Sequence, residues 1–279
     1  MDQSKKLQLK QLANNVRLGI IEAVYNAACG HPGGSLSIAD ILTYLYFEEM
    51  NVDPDNAKDP CRDRFVLSKG HTAPALYSTL AERGFFPKEE LKTLRKTHSR
   101  LQGHPDMKGV PGVDMSTGSL GLGISTACGM ALAGKVKGDS YRVYTVIGDG
   151  ESEEGQVWEA AMFAAHYKLD NLVAVVDLNG LQIDGPITEV MNPTPHDDKF
   201  RAFGWHVINV DAHDFDSIEA AFKEARTVKG KPTVLIARST KGKGVSYMEN
   251  SCEWHGQAPK KDLYEVAVAD LKKIEEELK

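Results

Sequence analysis

Two apolar, β-branched runs, each closed by a turn bearing oxygen donors, constrain this chain more than any other feature. Val143-Tyr144-Thr145-Val146-Ile147 runs into Gly148-Asp149-Gly150, and Leu172-Val173-Ala174-Val175-Val176 runs into Asp177-Leu178-Asn179. Asn179 lies 30 residues after Asp149, the length of one strand–helix–strand unit. Continuous apolar runs of this kind read as strands buried on both faces. A right-handed crossover returns the second strand parallel to the first, so both ends reach one rim of the sheet. Neighbouring strands lie roughly 4.8 Å apart, which brings Asp149 and Asn179 within reach of a common ion. A bare Gly-Asp-Gly is an ordinary turn. Paired with a second strand end and the Leu181-Gln182-Ile183-Asp184-Gly185 turn, it points to a site.

The rest of the chain continues the same rhythm. Strands are expected over 142–147, 171–177, 205–210 and 232–238, with helices over 153–168, 195–203 and 215–228. That alternation predicts an α/β fold with a mostly parallel sheet and helices on both faces. Upstream, Leu9, Leu12, Val16, Ile20, Ala23, Val24 and Ala27 recur at helical spacing until Gly30-His31-Pro32-Gly33-Gly34 breaks the pattern. Ser37 is placed to cap a second helix running through Ile41, Leu42, Leu45 and Tyr46. A strand from Arg64 to Leu67 leads into Ser68-Lys69-Gly70-His71 and a helix from Ala73 to Arg83. Pro87 opens a helix through about Lys96, an Ala/Gly-rich helix runs from Leu120 to Lys135, and a charged amphipathic helix from Lys261 to Leu278 closes the chain. No linker or repeat interrupts residues 1–279, so a single domain is expected, with its N-terminal helical segment and C-terminal helix included.

The formal charge of −6 argues against a nucleic-acid or anionic-membrane partner, which would leave a basic surplus. Local cations can still take an anionic small molecule. Cys29, Cys61, Cys128 and Cys252 have no metal or disulfide spacing and read as reduced thiols. No apolar run approaches a membrane span. A cytoplasmic location is expected.

An Asp149 carboxylate, an Asn179 carbonyl and a backbone carbonyl form an all-oxygen set suited to Mg²⁺, with Ca²⁺ as a substitute. One carboxylate is few for a free ion, so a diphosphate would complete the shell. The glycines around Asp149 and a helix starting near Glu153 suit such an anion. Four histidines sit in Gly- or Pro-bearing loops, at His31, His71, His104 and His255, which suggests a shared cleft for hydrogen bonding and proton relay. His98, His166, His196, His206 and His213 lack that setting and read as structural or solvated. A zinc site has no supporting spacing. Thr117-Gly118-Ser119-Leu120-Gly121-Leu122-Gly123 is misspaced for a dinucleotide fingerprint and suits tight backbone against a flat cofactor. Lys241-Gly242-Lys243-Gly244 reads as a flexible cationic loop.

In order along the chain, CGHPGGSLS, RDRFVLSKGHTAPALY, GHPD, TGSLGLG, GDGESEEG, the Asp177–Gly185 segment, KGKGVSYMEN and EWHG resemble the diphosphate-binding half of transketolase. The match is closest to the N-terminal subunit of a split transketolase and runs from about residue 10 to 260. The resemblance implies thiamine diphosphate and Mg²⁺, with Asp149, Asn179 and the Leu181 carbonyl on the metal. It implies that His71, Gly150 and His255 contact the diphosphate and that Gly118, Ser119, Leu120 and Ile183 line the cofactor. His31, His104 and His255 would face the donor sugar. Glu154 and Glu159 resemble acidic residues at the family's subunit interface, Glu154 on the cofactor side. The implied reaction transfers a two-carbon ketol unit from a ketose phosphate to an aldose phosphate, as in the pentose phosphate pathway.

Two departures matter. Ser119 and Leu122 stand where the family commonly has TGPLGQG, and Leu122 removes an amide. The pyrimidine-binding domain, with the glutamate that activates the cofactor, is absent, so the resemblance implies a separate C-terminal subunit in a two-plus-two heterotetramer. The alternatives are another thiamine diphosphate enzyme, deoxyxylulose-phosphate-synthase-like or 2-oxo acid dehydrogenase-like, and a non-catalytic scaffold.

Overall fold

Alternate side chains of each main-sheet strand point to opposite faces, and both faces are buried along every strand but the edge strand His206–Asp211. The computed structural model describes residues 1–279. Its main sheet contains β1 (Arg64–Leu67), β2 (Val143–Gly148), β3 (Leu172–Leu178), β6 (His206–Asp211) and β7 (Thr233–Arg238) in the order β1-β2-β3-β7-β6, every pairing parallel. A two-stranded hairpin, β4 (Leu181–Gln182) and β5 (Gly185–Pro186), rises from the end of β3.

Phe65, Leu67, Tyr144, Val146, Val173, Val175, Leu235 and Ala237 face one way. They meet α1 (Gln3–Ala27), α2 (Pro32–Leu36), α3 (Ala39–Tyr44), α4 (Ala73–Arg83), α9 (Phe215–Thr227) and α10 (Lys261–Glu277). Val66, Val143, Ile147, Ala174, Val176, Val234 and Ile236 face the other way, onto α5 (Leu122–Lys137), α6 (Gly155–His166) and α8 (His196–Ala202). The first cluster holds 49 buried residues against 20 in the second, because the N-terminal helices and α10 share it. Those segments therefore pack on the same core as the sheet. The short helix α7 (Ile187–Val190) follows the hairpin.

The helix ends follow local chemistry. Asp2 starts α1 by accepting the Lys5 N–H at 2.8 Å, and Asp214 starts α9 by accepting from Asp216 and Ser217, each satisfying orphan first-turn donors. Ser37 does not cap a helix. Its hydroxyl lies at the end of α2 and donates to the Gly34 carbonyl (3.0 Å) and to Asp177 (2.8 Å), while Ile38 precedes α3 without a side-chain cap. A buried carboxylate out-competed the local backbone.

The expected helix after Pro87 is a short 3₁₀ segment, Lys88–Thr93, and Arg95 beyond it adopts φ 58°. The expected 153–168 helix divides into a 3₁₀ turn, Gly150–Glu153, and α6. α5 begins at Leu122 rather than Leu120, because Gly121 takes φ 82°. That leaves Leu120 in the loop.

Phe222 on α9 is fully buried between Tyr44 and Tyr144, with ring centroids 5.5 and 6.1 Å away. Phe222→Ala should lower the unfolding free energy by about 3–5 kcal/mol in urea titrations. A loss under about 1 kcal/mol would mean the site collapses freely.

Candidate active site

All five strands end at the same rim, and the strand-end loops deliver the site. Gly148 pairs in register with Asp177, so Asp149 emerges beside the Asp177–Asn179 turn. The Asp149 carboxylate accepts the Gly150 N–H at 2.8 Å and reaches across to the Gly180 N–H at 2.6 Å. It thus touches the residue next to Asn179, as the two-strand argument requires. Asn179 donates its Nδ2 to Asp177 at 2.8 Å, and its Oδ1 accepts from the Leu181 N–H at 3.1 Å. The donor to Asp177 fixes which end of the amide is oxygen, and that oxygen is the one a hard cation needs.

Gly148, Asp149, Asn179 and Leu181 line a cavity of about 150 Å³ shared with Gly34, Lys69, His71, Leu120, Gly150, Glu151, Ile183, Lys241 and His255. Burial, then the neighbouring Asp177 charge, pushes the Asp149 carboxyl up to about 6, against the Gly180 and Gly150 N–H groups and Lys241. A buried carboxylate so poorly compensated is suited to a cation. At Asp177, burial also pushes upward, but the Lys69 ammonium at 2.6 Å and the Ser239 and Ser37 hydroxyls outweigh it and hold the carboxyl below its ordinary value.

Three of the four loop histidines pack together. The rings of His31, His71 and His255 lie 5.1, 5.2 and 5.7 Å apart between centroids. A backbone clasp brings His31 to His255: the Gly33 N–H donates to the Trp254 carbonyl at 3.0 Å, and the Gly242 N–H donates to the Gly33 carbonyl at 2.9 Å. His104 packs on Gly118.

Burial, followed by the charges of Arg95, His104 and Lys241, lowers His31 to about 4. Burial, then Lys241, His31 and Lys69, lowers His255 to about 3. His71 falls well below its usual value, chiefly by burial and then Lys69, and His104 falls by burial and Arg95. These imidazoles are therefore neutral near physiological pH. His31 Nδ1 is buried without a partner, an orphan that a ligand hydroxyl or amine can satisfy.

Lys241 departs from the flexible cationic loop read from the KGKG sequence. Lys241 is only 2% exposed, donating to the Leu181 carbonyl at 2.8 Å and to His255 Nδ1 at 2.9 Å. With Nδ1 accepting, a neutral His255 carries its proton on Nε2. Burial, then the like charge of Lys69, pulls the Lys241 ammonium down to about 8. Lys243 behaves as expected, half-exposed and paired with Glu249. The remaining histidines are structural or solvated: His196 is buried on Ser152 at 2.9 Å, His206 meets Glu224, and His213 bonds Asp40.

Residues 8–274 match the domain family described as "Transketolase, thiamine diphosphate binding domain". The chain belongs to the transketolase family. It is 46% identical over 269 residues to the 6-deoxy-6-sulfo-D-fructose transketolase subunit SqwG of Clostridium sp. (strain MSTE9), covering 96% of this chain and 98% of that subunit. It is 45% identical over 276 residues to an apulose-4-phosphate transketolase subunit of Phocaeicola vulgatus, covering 99% of this chain and 97% of that one. The solved transketolase of Campylobacter jejuni superposes with a TM-score of 0.88 at 32% identity, over 95% of this chain but 43% of that one. This transketolase-family chain therefore spans nearly all of the curated subunits and less than half of the solved enzyme.

Within this transketolase domain, Asp149, Gly150, Asn179, Leu181, His71, His255, Leu120 and Ile183 line one cavity. Ile183 stands 61% exposed at the hairpin tip. Gly118 and Ser119 line an adjoining cavity with Leu122. Glu154 and Glu159 are both exposed and lie outside that cavity's lining, with Glu159 in a groove between α5 and α6. Sequence reasoning missed Lys69, Asp177, Lys241 and Arg95, whose guanidinium packs on Gly103 and whose charge acts on both His31 and His104. Lys69, Asp177 and Lys241 lie inside the Ser68–His71, Asp177–Gly185 and Lys241–Gly244 motifs, and an unpaired charge in each is the signal the sequence carries.

Each depressed histidine binds a proton less readily folded than unfolded. Between pH 6.5 and about 4, His31 and His255 therefore make stability rise with pH and fall on acidification. Asp149, with its raised value, acts in the opposite sense over part of that window. The comparison of variants isolates the histidines: the cofactor-free His31→Asn/His255→Asn chain should lose less stability than wild type between about pH 7 and pH 5, read from urea midpoints. Equal slopes would contradict the depressed values.

Proposed function

We propose that this chain is the diphosphate-binding subunit of a two-chain transketolase, acting as one unit over residues 1–279 and located in the cytoplasm. No helix is long and apolar enough to cross a membrane. The observation that carries the reading is the convergence of the Asp149, Asn179 and Leu181 oxygens with His71 and His255 on one cavity. The under-compensated Asp149 carboxylate and the orphan His31 nitrogen fit a Mg²⁺-bound diphosphate cofactor with a sugar beyond it.

In this reading Asp149, the Asn179 Oδ1 and the Leu181 carbonyl hold the Mg²⁺. His71, Gly150 and Lys241 bind the diphosphate, and Gly118, Ser119, Leu120 and Ile183 flank the rings, with Glu154 toward the cofactor side. When bound, thiamine diphosphate supplies the carbon nucleophile and electron sink for two-carbon transfer. His255, its Nδ1 occupied by Lys241, offers Nε2–H to a donor oxygen. His31 offers its unpartnered Nδ1, and His104 a ring beside Gly118. His255 is thereby left as a donor, while the neutral His31 and His104 rings each carry one donor and one acceptor nitrogen for sugar hydroxyls, which favours a polyhydroxylated donor over a 2-oxo acid.

The two similar subunits are named for ketoses bearing a sulfonate or a phosphate. We assign this chain the same class, a ketose with an anionic end, passing its ketol unit to an aldose phosphate. The reaction is of the kind that serves the pentose phosphate pathway. Among the charged side chains, Arg95 acts most strongly on both His31 and His104. A cavity of about 150 Å³ is small beside the roughly 300–1,000 Å³ of ordinary ligand sites, which supports a second wall from a companion C-terminal subunit, and we assign the pair a two-plus-two assembly.

Purified alone, the chain should show no ketol transfer. Mixed with its companion, Mg²⁺ and thiamine diphosphate, it should transfer ketol units from ketose phosphates, and chelation should abolish the rate. Activity of the chain by itself, or equal turnover of pyruvate, would overturn the assignment. Lys241→Met should weaken thiamine diphosphate binding by roughly 10–100-fold, the loss of one charge-assisted contact, as measured by calorimetry on the complex.

A further inference from the structure

We propose that Glu151 is a positioning residue that holds the Gly118–Leu120 segment in place for the cofactor, an inference that rests on the functional reading above. Glu151 is 3% exposed and follows Gly-Asp-Gly in the 3₁₀ turn. One carboxylate oxygen, Oε1, accepts the Gly121 N–H at 2.9 Å and the Ser68 hydroxyl. The other, Oε2, accepts the Gly148 N–H at 2.9 Å. Ser68 Oγ in turn accepts the Ile124 N–H at 3.2 Å. One side chain therefore joins the loop after β1, the end of β2 and the entry to α5.

The entry to α5 needs such help. Gly121 sits at its N-cap with φ 82° and no side chain to cap the helix, so first-turn donors must be satisfied from outside. Glu151 and Ser68 supply the missing acceptors. The Gly118–Leu120 stretch is then suspended between two anchors. Thr117 Oγ1 donates to the Leu67 carbonyl at 2.7 Å on one side, and Gly121 is held by Glu151 on the other. Leu120 and Glu151 border the same cavity.

Asp149 and Glu151 belong to one turn and act in different directions. The first reaches the Gly180 N–H on the β3 side, and the second reaches the loop on the β1 side. The turn thereby couples the height of the 118–120 backbone to the oxygen clamp. Glu151 needs no contact with the reacting atoms for this role.

The test uses Glu151→Gln, which preserves shape but replaces one acceptor oxygen with a donor amide. In the chain without cofactor, backbone amide exchange should accelerate about tenfold over residues 117–124, the effect of one buried hydrogen bond, with β7 and α1 unchanged. In the Mg²⁺-loaded complex with the companion chain, the thiamine diphosphate Kd should rise about tenfold, while kcat at saturating cofactor falls less. Ser68→Ala, which removes a neighbouring donor and keeps the carboxylate, should shift both readouts in the same direction by less.

Unchanged exchange at 117–124, a Kd within twofold of wild type, or loosening spread across the whole sheet would overturn the assignment. Failure of Glu151→Gln to fold would leave Ser68→Ala to decide, an unchanged Kd and exchange there counting against it. Failure of the wild-type complex to bind thiamine diphosphate would sink the functional reading instead. The exchange comparison would still decide whether Glu151 holds the loop.

Discussion

The site rests on a lysine and an aspartate that pair almost wholly out of water. Lys69, 2% exposed, follows β1, and Asp177, 1% exposed, lies in β3 near its end. Lys69 also donates to the Gly34 carbonyl at 2.9 Å, and Asp177 accepts from Ser37, Ser239 and Asn179. One ion pair therefore ties the ends of β1, β3 and β7 to the histidine-bearing N-terminal loop. Removing either partner would strand a buried charge, a cost of about 3–5 kcal/mol. The hydroxyls and amide around it satisfy the oxygens that the lysine leaves free, which is what makes such a pair tolerable in the interior.

A second buried pair supports the same rim. Arg17 on α1 meets Asp40 on α3, and His213 bridges Asp40 to the Thr240 N–H at 2.9 Å. Three consecutive residues after β7 are thus anchored in different directions: Ser239 on Asp177, Thr240 on His213 and Lys241 on Leu181. This anchoring fixes Lys241, the first residue of the Lys241–Gly244 segment, at the cavity wall.

The parallel sheet, its two covered faces and the Asp149–Asn179 rim were legible because alternation and strand-end chemistry are local signals. The clustering of His31, His71 and His255 was legible only as a shared loop context. The burial of Lys241 was not, because it depends on the Gly33–Trp254 clasp between segments far apart in sequence. Ser37 misled for a related reason: a hydroxyl at a plausible cap position had a stronger partner 140 residues away. The early end of the 3₁₀ segment after Pro87 was hidden too, since positive φ at Arg95 is set by its tertiary surroundings rather than by its own preference. Roles assigned through resemblance, such as those of Gly118, Ser119 and Glu154, depended on motif order, which spacing alone does not carry.

The neutral state of the clustered imidazoles has a consequence for how an anion is held. Lys69 is ion-paired with Asp177, so Lys241 is the one ammonium lining the Asp149 cavity without a carboxylate in ion-pair contact, within a chain of net charge −6. Long-range attraction for a polyanion is accordingly weak, and screening by salt has little to remove. Retention of such a molecule falls to short-range fit, through fixed N–H directions and a bridging metal, and departs from the electrostatic funnel that a histidinium cluster would have made.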